Sequence, residues 1–158
     1  MPCGARGIYI ISKRSYIEWT QSIYRICVSK YIEKVGMDMS GSKNQLREES
    51  IDFAILVSDI CDDIKGCSVY TNQLIRCSSS IGANIHEARY AQSRADFISK
   101  LEISLKESSE TEYWLELLYR KQKLSHEQYA FLKNSCGSIR RKLIASITTA
   151  KANSSKNS

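Results

Sequence analysis

The sequence predicts an all-α fold, an antiparallel up-down-up-down four-helix bundle, on three observations. Apolar residues recur at steps of three and four along four separate stretches after about residue 45. The links between those stretches are three to six residues, short enough to lay sequence neighbours antiparallel. One proline and seven glycines in 158 residues leave little material for turns. That scarcity argues against a sandwich or barrel of many short strands, and equally against a Pro/Gly-rich disordered chain. No stretch alternates with period two for long enough to need a strand.

The first helix is expected from about Leu46 to Lys65, with Phe53, Val57, Ile60 and Ile64 on one face and Gly66 as its stop. Thr71 or Asn72 is the expected cap of the second, which carries Leu74, Cys77, Ile81, Ile85 and Ala88 on one stripe. Ser93 caps the third, with Asp96 three residues on in a pattern close to a capping box. Its apolar residues are Phe97, Leu101, Leu105, Leu115 and Leu118, and it continues to about Lys121. The fourth opens on Ser125 and Gln128, which fit the capping box directly. Its stripe is the most regular of the four: Tyr129, Leu132, Cys136, Ile139, Leu143, Ile147 and Ala150. Such spacing suits helices crossing at a shallow angle. The bundle is therefore expected over residues 43–152, with a frayed polar tail over 153–158.

Residues 1–42 form a basic N-terminal extension of different character. The whole chain carries +6, with a pI near 9.0. Residues 1–36 hold +4 of that, and the remaining 122 residues hold +2. Two readings stand for this stretch. Tyr16, Trp19, Ile23, Cys27, Tyr31 and Val35 trace one stripe of a basic amphipathic helix. Alternatively, translation starts at Met37 or Met39, just before the loop-like Ser40-Gly41-Ser42.

The six cysteines, Cys3, Cys27, Cys61, Cys67, Cys77 and Cys136, include no C-x-x-C pair. Zinc ribbons, thioredoxin-like motifs and haem attachment therefore lack their spacing. Several fall on apolar stripes, where a free thiol acts as a small hydrophobe. No stretch has the roughly 20 apolar residues of a transmembrane helix. The short run Ile8–Ile11 is followed by Lys13 and Arg14, the reverse of a signal peptide's charge order. The expectation is a reduced, cytoplasmic protein without a membrane partner.

The second helix reads Arg76-Cys77-Ser78-Ser79-Ser80-Ile81-Gly82-Ala83-Asn84-Ile85-His86-Glu87-Ala88. Three serines and a glycine are weak helix formers, sensible where a neighbouring backbone must approach closely. On the third helix Ser104, Ser108 and Thr111 continue the apolar face, while Glu107, Glu110 and Trp114 share an adjoining one. A polar layer is expected between the two helices, with Arg76, Ser80, Asn84, Glu87, Ser108 and Glu110 in it. The competing reading is a solvated groove. Catalysis finds no foothold: there is no E-x-x-H pair, H-E-x-x-H, G-x-S-x-G elbow or P-loop, so no metal, cofactor or enzymatic role is expected. His86 beside Glu87 is too little for a metal site, and His126 reads as a surface residue.

The run from Arg76 to Ala88 resembles the R-x-S-x-S-I-x-A-N-I-x-E-G/A signature of the 23S rRNA intervening-sequence proteins, a bacterial family. Asp96-Phe97 and the stretch Lys106–Leu115 resemble the same family, and the likeness spans roughly residues 45–152. Ala88 replaces a commoner glycine, and Ser104 stands where alanine is frequent. The resemblance implies an antiparallel four-helix bundle that assembles with itself, with a homopentamer as the expected form. It also implies kinship with the accessory protein of diversity-generating retroelements, a basic pentamer that binds a reverse transcriptase and nucleic acid. The link to ribosomal RNA is one of gene location and does not establish RNA binding.

Two functions follow as expectations. One is a non-enzymatic homo-oligomer that binds RNA, DNA or a nucleoprotein through Arg120, Lys121 and Lys123 after the third helix and Arg140, Arg141 and Lys142 on the fourth, with Lys151 and Lys156 beyond. Each cluster has a plainer reading as a solvated face or as cations favoured at a helix C-terminus, and no aromatic is interleaved with them. The other is a protein-interaction scaffold that binds a partner protein without nucleic acid.

Overall fold

A computed structural model describes residues 45–155, with side chains to residue 153. The N-terminal extension, its stripe from Tyr16 to Val35, and Lys156 lie outside the described residues. Four helices follow one another: α1 (Gln45–Asp62), α2 (Ser68–Ala88), α3 (Arg94–Arg120) and α4 (His126–Ser155). The described residues contain no strand. Each helix packs on the next, and α4 closes less extensively against α1.

Cross-helix contacts fix the direction of each neighbour. Arg76, Ile81 and Glu87 of α2 meet Glu110, Ser104 and Lys100 of α3. Along α3 and α4, Tyr119 stacks on Tyr129, Glu112 pairs with Arg140 and Glu102 with Lys151. Numbers rise in one helix as they fall in the other, so these neighbours run antiparallel. Ser50 of α1 lies against Gly82, and Arg47 reaches His86, in the same descending order.

Most of the core is the set of stripes the periodicity marks, joined by Leu56, Cys61, Cys67 and Leu124, which those stripes left out. Val57, Leu74, Cys77, Ile81, Leu115, Leu118, Leu132, Cys136 and Leu143 are fully buried, with Phe53, Ile60, Ile85, Leu101, Ile139 and Ile147 nearly so. Ile64, Phe97, Leu105, Tyr129 and Ala150 are half-buried at the stripe ends or margins.

The helix ends depart from expectation in informative ways. α1 stops at Asp62, short of Lys65, and Gly66 at φ 76° serves the turn after it instead of capping the helix. α2 begins at Ser68, one turn before Thr71 and Asn72, behind Cys67 as N-cap. The Thr71 hydroxyl points backward, donating to the Ser68 carbonyl at 3.3 Å, and the buried Thr71 lies within the first turn. A β-branched hydroxyl satisfied by its own helix has no capping role. Cys67 is buried, so packing sets where this helix begins.

Ser93 does cap α3, its hydroxyl accepting from the Asp96 amide at 3.1 Å. The Asp96 carboxylate reaches back to the amide of Gln92, one residue before the capping-box position. α3 ends in a Schellman motif: the Gln122 amide donates to Tyr119 and the Lys123 amide to Leu118. Gln122 takes φ 57°, a left-handed conformation that favours glycine. The α4 capping box forms in both directions, with Gln128 N–H on Ser125 Oγ at 3.1 Å and Ser125 N–H on Gln128 Oε1 at 2.9 Å. α4 runs to Ser155 through residues expected to fray, because nothing between Lys151 and Ser155 is a proline or glycine.

Candidate functional site

The α2–α3 interface holds a buried layer of small polar groups, and its membership differs from the expected one. Ser78, Ser104, Ser108 and Thr111 are all fully buried. Ser104 donates to the Ile81 carbonyl across the interface at 3.0 Å. Thr111 donates to the Glu107 carbonyl at 2.8 Å and contacts the Cys77 sulfur at 3.2 Å. Ser108 donates to Leu105, and the Cys136 thiol approaches the Ser108 carbonyl from α4 at 3.5 Å. Hydroxyls that bond a carbonyl of their own or the next helix meet the requirement that buried polar groups be partnered.

Of the six residues expected in the layer, only Ser108 lies in this interior. Ser80 and Asn84 are half-buried at its margin, where Asn84 donates to the Ser80 carbonyl at 2.8 Å and so ties down its own helix. Glu87 is exposed and pairs with Lys100 at 2.5 Å. Arg76 is exposed too, binding Glu110 at 2.5 Å and standing 4.0 Å from Glu107. The indole N–H of Trp114 donates to the same Glu110 oxygen at 3.1 Å, and Trp114 packs edge-on against Tyr113. The signature thus divides. Ser78 and Ala88 are buried while Ser79 and Ala83 are exposed, and the charged Arg76 and Glu87 clasp α2 to α3 along the rim. The physical reason is size: a carboxylate or guanidinium inside this interface would need full charge compensation, while a hydroxyl needs one carbonyl.

Close approach explains the glycine at position 82, between Ile81 and Ala83. A Cβ on Gly82 would lie 3.2 Å from Ser50 Oγ, and that hydroxyl is itself buried and bonded to the Arg47 carbonyl. Ser50 went unnoticed in the sequence because nothing in its local pattern distinguishes it from a surface serine.

Burial also governs the thiols. Desolvation pushes Cys61 and Cys136 up to about 12, and raises Cys77 against a partial offset from its Thr111 contact. A thiol that holds its proton so firmly is a poor nucleophile and a poor metal ligand. Among the described residues no group of three or more His, Cys, Asp or Glu side chains converges on one point.

The two expected basic clusters are largely committed inside the chain. Arg120 pairs with Glu116, Lys121 lies over the Tyr70 ring, and Lys123 donates to the Lys65 carbonyl. Arg140 pairs with Glu112 toward α3, whereas Lys142 pairs with Glu49 toward α1. Arg141 between them is exposed. Consecutive positions on a helix splay by about 100°, so Arg140, Arg141 and Lys142 point three ways and do not form one patch. Lys151 is held by Glu102. His126 is exposed and contacts the Tyr119 hydroxyl.

Residues 42–145 match the family model described as 23S rRNA-intervening sequence protein. A solved structure from Bacteroides thetaiotaomicron, described as a protein with unknown function from the S23 ribosomal protein family, is 44% identical with a TM-score of 0.62. The match covers 65% of this chain and 97% of that one. The search of curated proteins found no match.

Proposed function

The chain belongs to the 23S rRNA-intervening sequence protein family, and from that premise we propose that it is a non-enzymatic binding module, a homo-oligomer that docks single-stranded nucleic acid or a nucleoprotein. The observation that carries this reading is how the signature is used. Its polar side chains are spent on packing and clasping helices, so what remains for function is surface.

That surface has apolar material for self-association. Ile51, Ile55, Val69, Tyr113 and Ile144 are large apolar side chains exposed on different helices, which suits burial against further copies of the chain. A pentamer is the form the family resemblance favours. Buried free thiols at Cys61, Cys67, Cys77 and Cys136 suit a reducing, cytoplasmic setting. No helix among the described residues is long and apolar enough to cross a membrane.

The test pairs native mass with a fluorescence titration against single-stranded RNA and DNA at low and high salt. An oligomer whose nucleic-acid affinity falls as salt rises is the expected outcome. An oligomer that binds neither at low salt would leave the alternative, a protein-interaction scaffold. A monomer would remove the homo-oligomeric part of the reading.

A further inference from the structure

We infer that single-stranded nucleic acid docks at the α2–α3 turn, with Arg89 and Arg94 on its phosphates and Tyr90 and Phe97 against its bases. The inference rests on the nucleic-acid part of the proposed function and moves the contact surface away from both basic clusters marked in the sequence. Four observations lead there. First, the side chains of Arg89 and Arg94 are exposed and make no ion pair or hydrogen bond with the described residues, unlike Arg76, Lys100, Arg120, Arg140, Lys142 and Lys151, which all pair with carboxylates. An unpaired guanidinium offers its full fork of donors to a phosphate.

Second, both arginines line one open groove of about 480 Å³, together with Phe97, Ser93 and the small residues Ala88 and Ala91. Phe97 is half-buried, and with the alanines it gives the groove apolar surface alongside the two cations. Third, Tyr90 is 75% exposed, the most exposed large aromatic among the described residues, and its ring packs on His86 at 5.4 Å. Basic and aromatic residues thus alternate from Arg89 to Phe97, the interleaving that single-strand binders use for backbone and base together. Fourth, the neighbouring carboxylates are already occupied: Glu87 by Lys100, Glu102 by Lys151, and Asp96 by the Gln92 amide. They therefore subtract less from the local positive field than their number suggests.

The experiment uses the full chain and a fluorescein-labelled single-stranded RNA of about 20 nucleotides, longer than a usual single-strand site. The unlabelled DNA of the same sequence serves as competitor. At low salt, Arg89→Ala/Arg94→Ala is expected to weaken binding by about tenfold or more and to flatten the salt dependence. Tyr90→Ala is expected to weaken it by about fivefold or more while leaving the salt slope unchanged. Neither arginine has a side-chain partner among the described residues, so unfolding curves of the double variant should overlay the parent and keep the result interpretable. If the double variant binds like the parent, and Arg120→Ala/Lys121→Ala/Lys123→Ala loses binding instead, the inference is overturned while the nucleic-acid reading stands. If the parent binds neither strand, both fall together.

Discussion

At the scale of single residues, the contact between Gly82 and Ser50 sets how closely α1 and α2 approach. Alanine at a helix interior is worth about 1 kcal/mol over glycine, so Gly82→Ala would stabilise α2 if space allowed. Here the new Cβ meets a buried hydroxyl at 3.2 Å that is locked to the Arg47 carbonyl. Gly82→Ala is therefore expected to lower stability by about 1–2 kcal/mol through overpacking. In the Ser50→Ala background the same substitution should raise it by up to about 1 kcal/mol, because the obstructing oxygen is gone. A double-mutant cycle by urea denaturation reads the coupling directly, and additive effects would refute the close-approach account. The buried thiols give a second prediction at this scale. Cys61 and Cys136 keep their protons to about 12, whereas in the unfolded chain a thiol ionises near its ordinary value of 9.0. Raised folded-state values mean this stability is fully present below pH 9 and drains away as pH rises from 9 toward 12. The loss approaches about 1.4 kcal/mol per pH unit for each thiol. Urea midpoints at pH 8, 9.5 and 10.5 should show it, and Cys61→Ala/Cys136→Ala should fall less steeply than the parent across that window.

At the scale of elements, the sequence was most legible where local chemistry alone decides. The reciprocal bonds of Ser125 and Gln128, and the Ser93 cap, involve residues three apart, and spacing reveals them without knowledge of the fold. The start of α2 was not legible, since Cys67 caps nothing with its side chain and is held by burial, which is a tertiary fact. The end of α1 misled for a related reason: Gly66 looked like a helix stop but supplies the left-handed residue of the following turn. These differences predict distinct mutational costs. Ser125→Ala should cost about 1 kcal/mol, the usual worth of a cap. Thr71→Val, which keeps the shape and removes a hydroxyl satisfied within its own helix, should stay within about 1 kcal/mol of the parent. A larger loss at Thr71 than at Ser125 would reinstate Thr71 as the cap. The Schellman motif closing α3 offers the opposite sign. Gln122 holds φ 57°, which costs a non-glycine residue about 1 kcal/mol, so Gln122→Gly should raise the unfolding free energy, read by urea denaturation, by that much.

At the scale of the whole molecule, the core was readable because burial follows periodicity, and the candidate site was not, because pairing does not. A run such as Arg140-Arg141-Lys142 looks like a cationic patch in sequence, yet Arg140 and Lys142 are claimed by carboxylates on different helices, Glu112 and Glu49. Arg89 and Arg94 look isolated in sequence and are the ones left unpaired beside a groove. The charge balance sharpens the same contrast: residues 37–158 carry only +2 of the chain's +6, so within the bundle affinity for polyanions depends on which cations are left unpaired more than on net charge. The clasping pairs, Arg76 with Glu110, Lys100 with Glu87 and Lys151 with Glu102, are all substantially exposed, and exposed pairs contribute little to stability. Raising salt from about 0.1 to 1 M shortens the Debye length from about 10 Å to about 3 Å. The unfolding midpoint should therefore move by only a few degrees over that range. Nucleic-acid affinity should respond very differently, because each phosphate contact releases counterions. Two arginines on a single strand correspond to a slope of about −1.4 in log affinity against log salt per bound chain. Calorimetric scans and titrations over the same salt series test both halves together. A midpoint that collapses with salt would show the bundle held by its surface ion pairs. A salt-insensitive affinity would move recognition from the phosphates to the apolar floor of the groove.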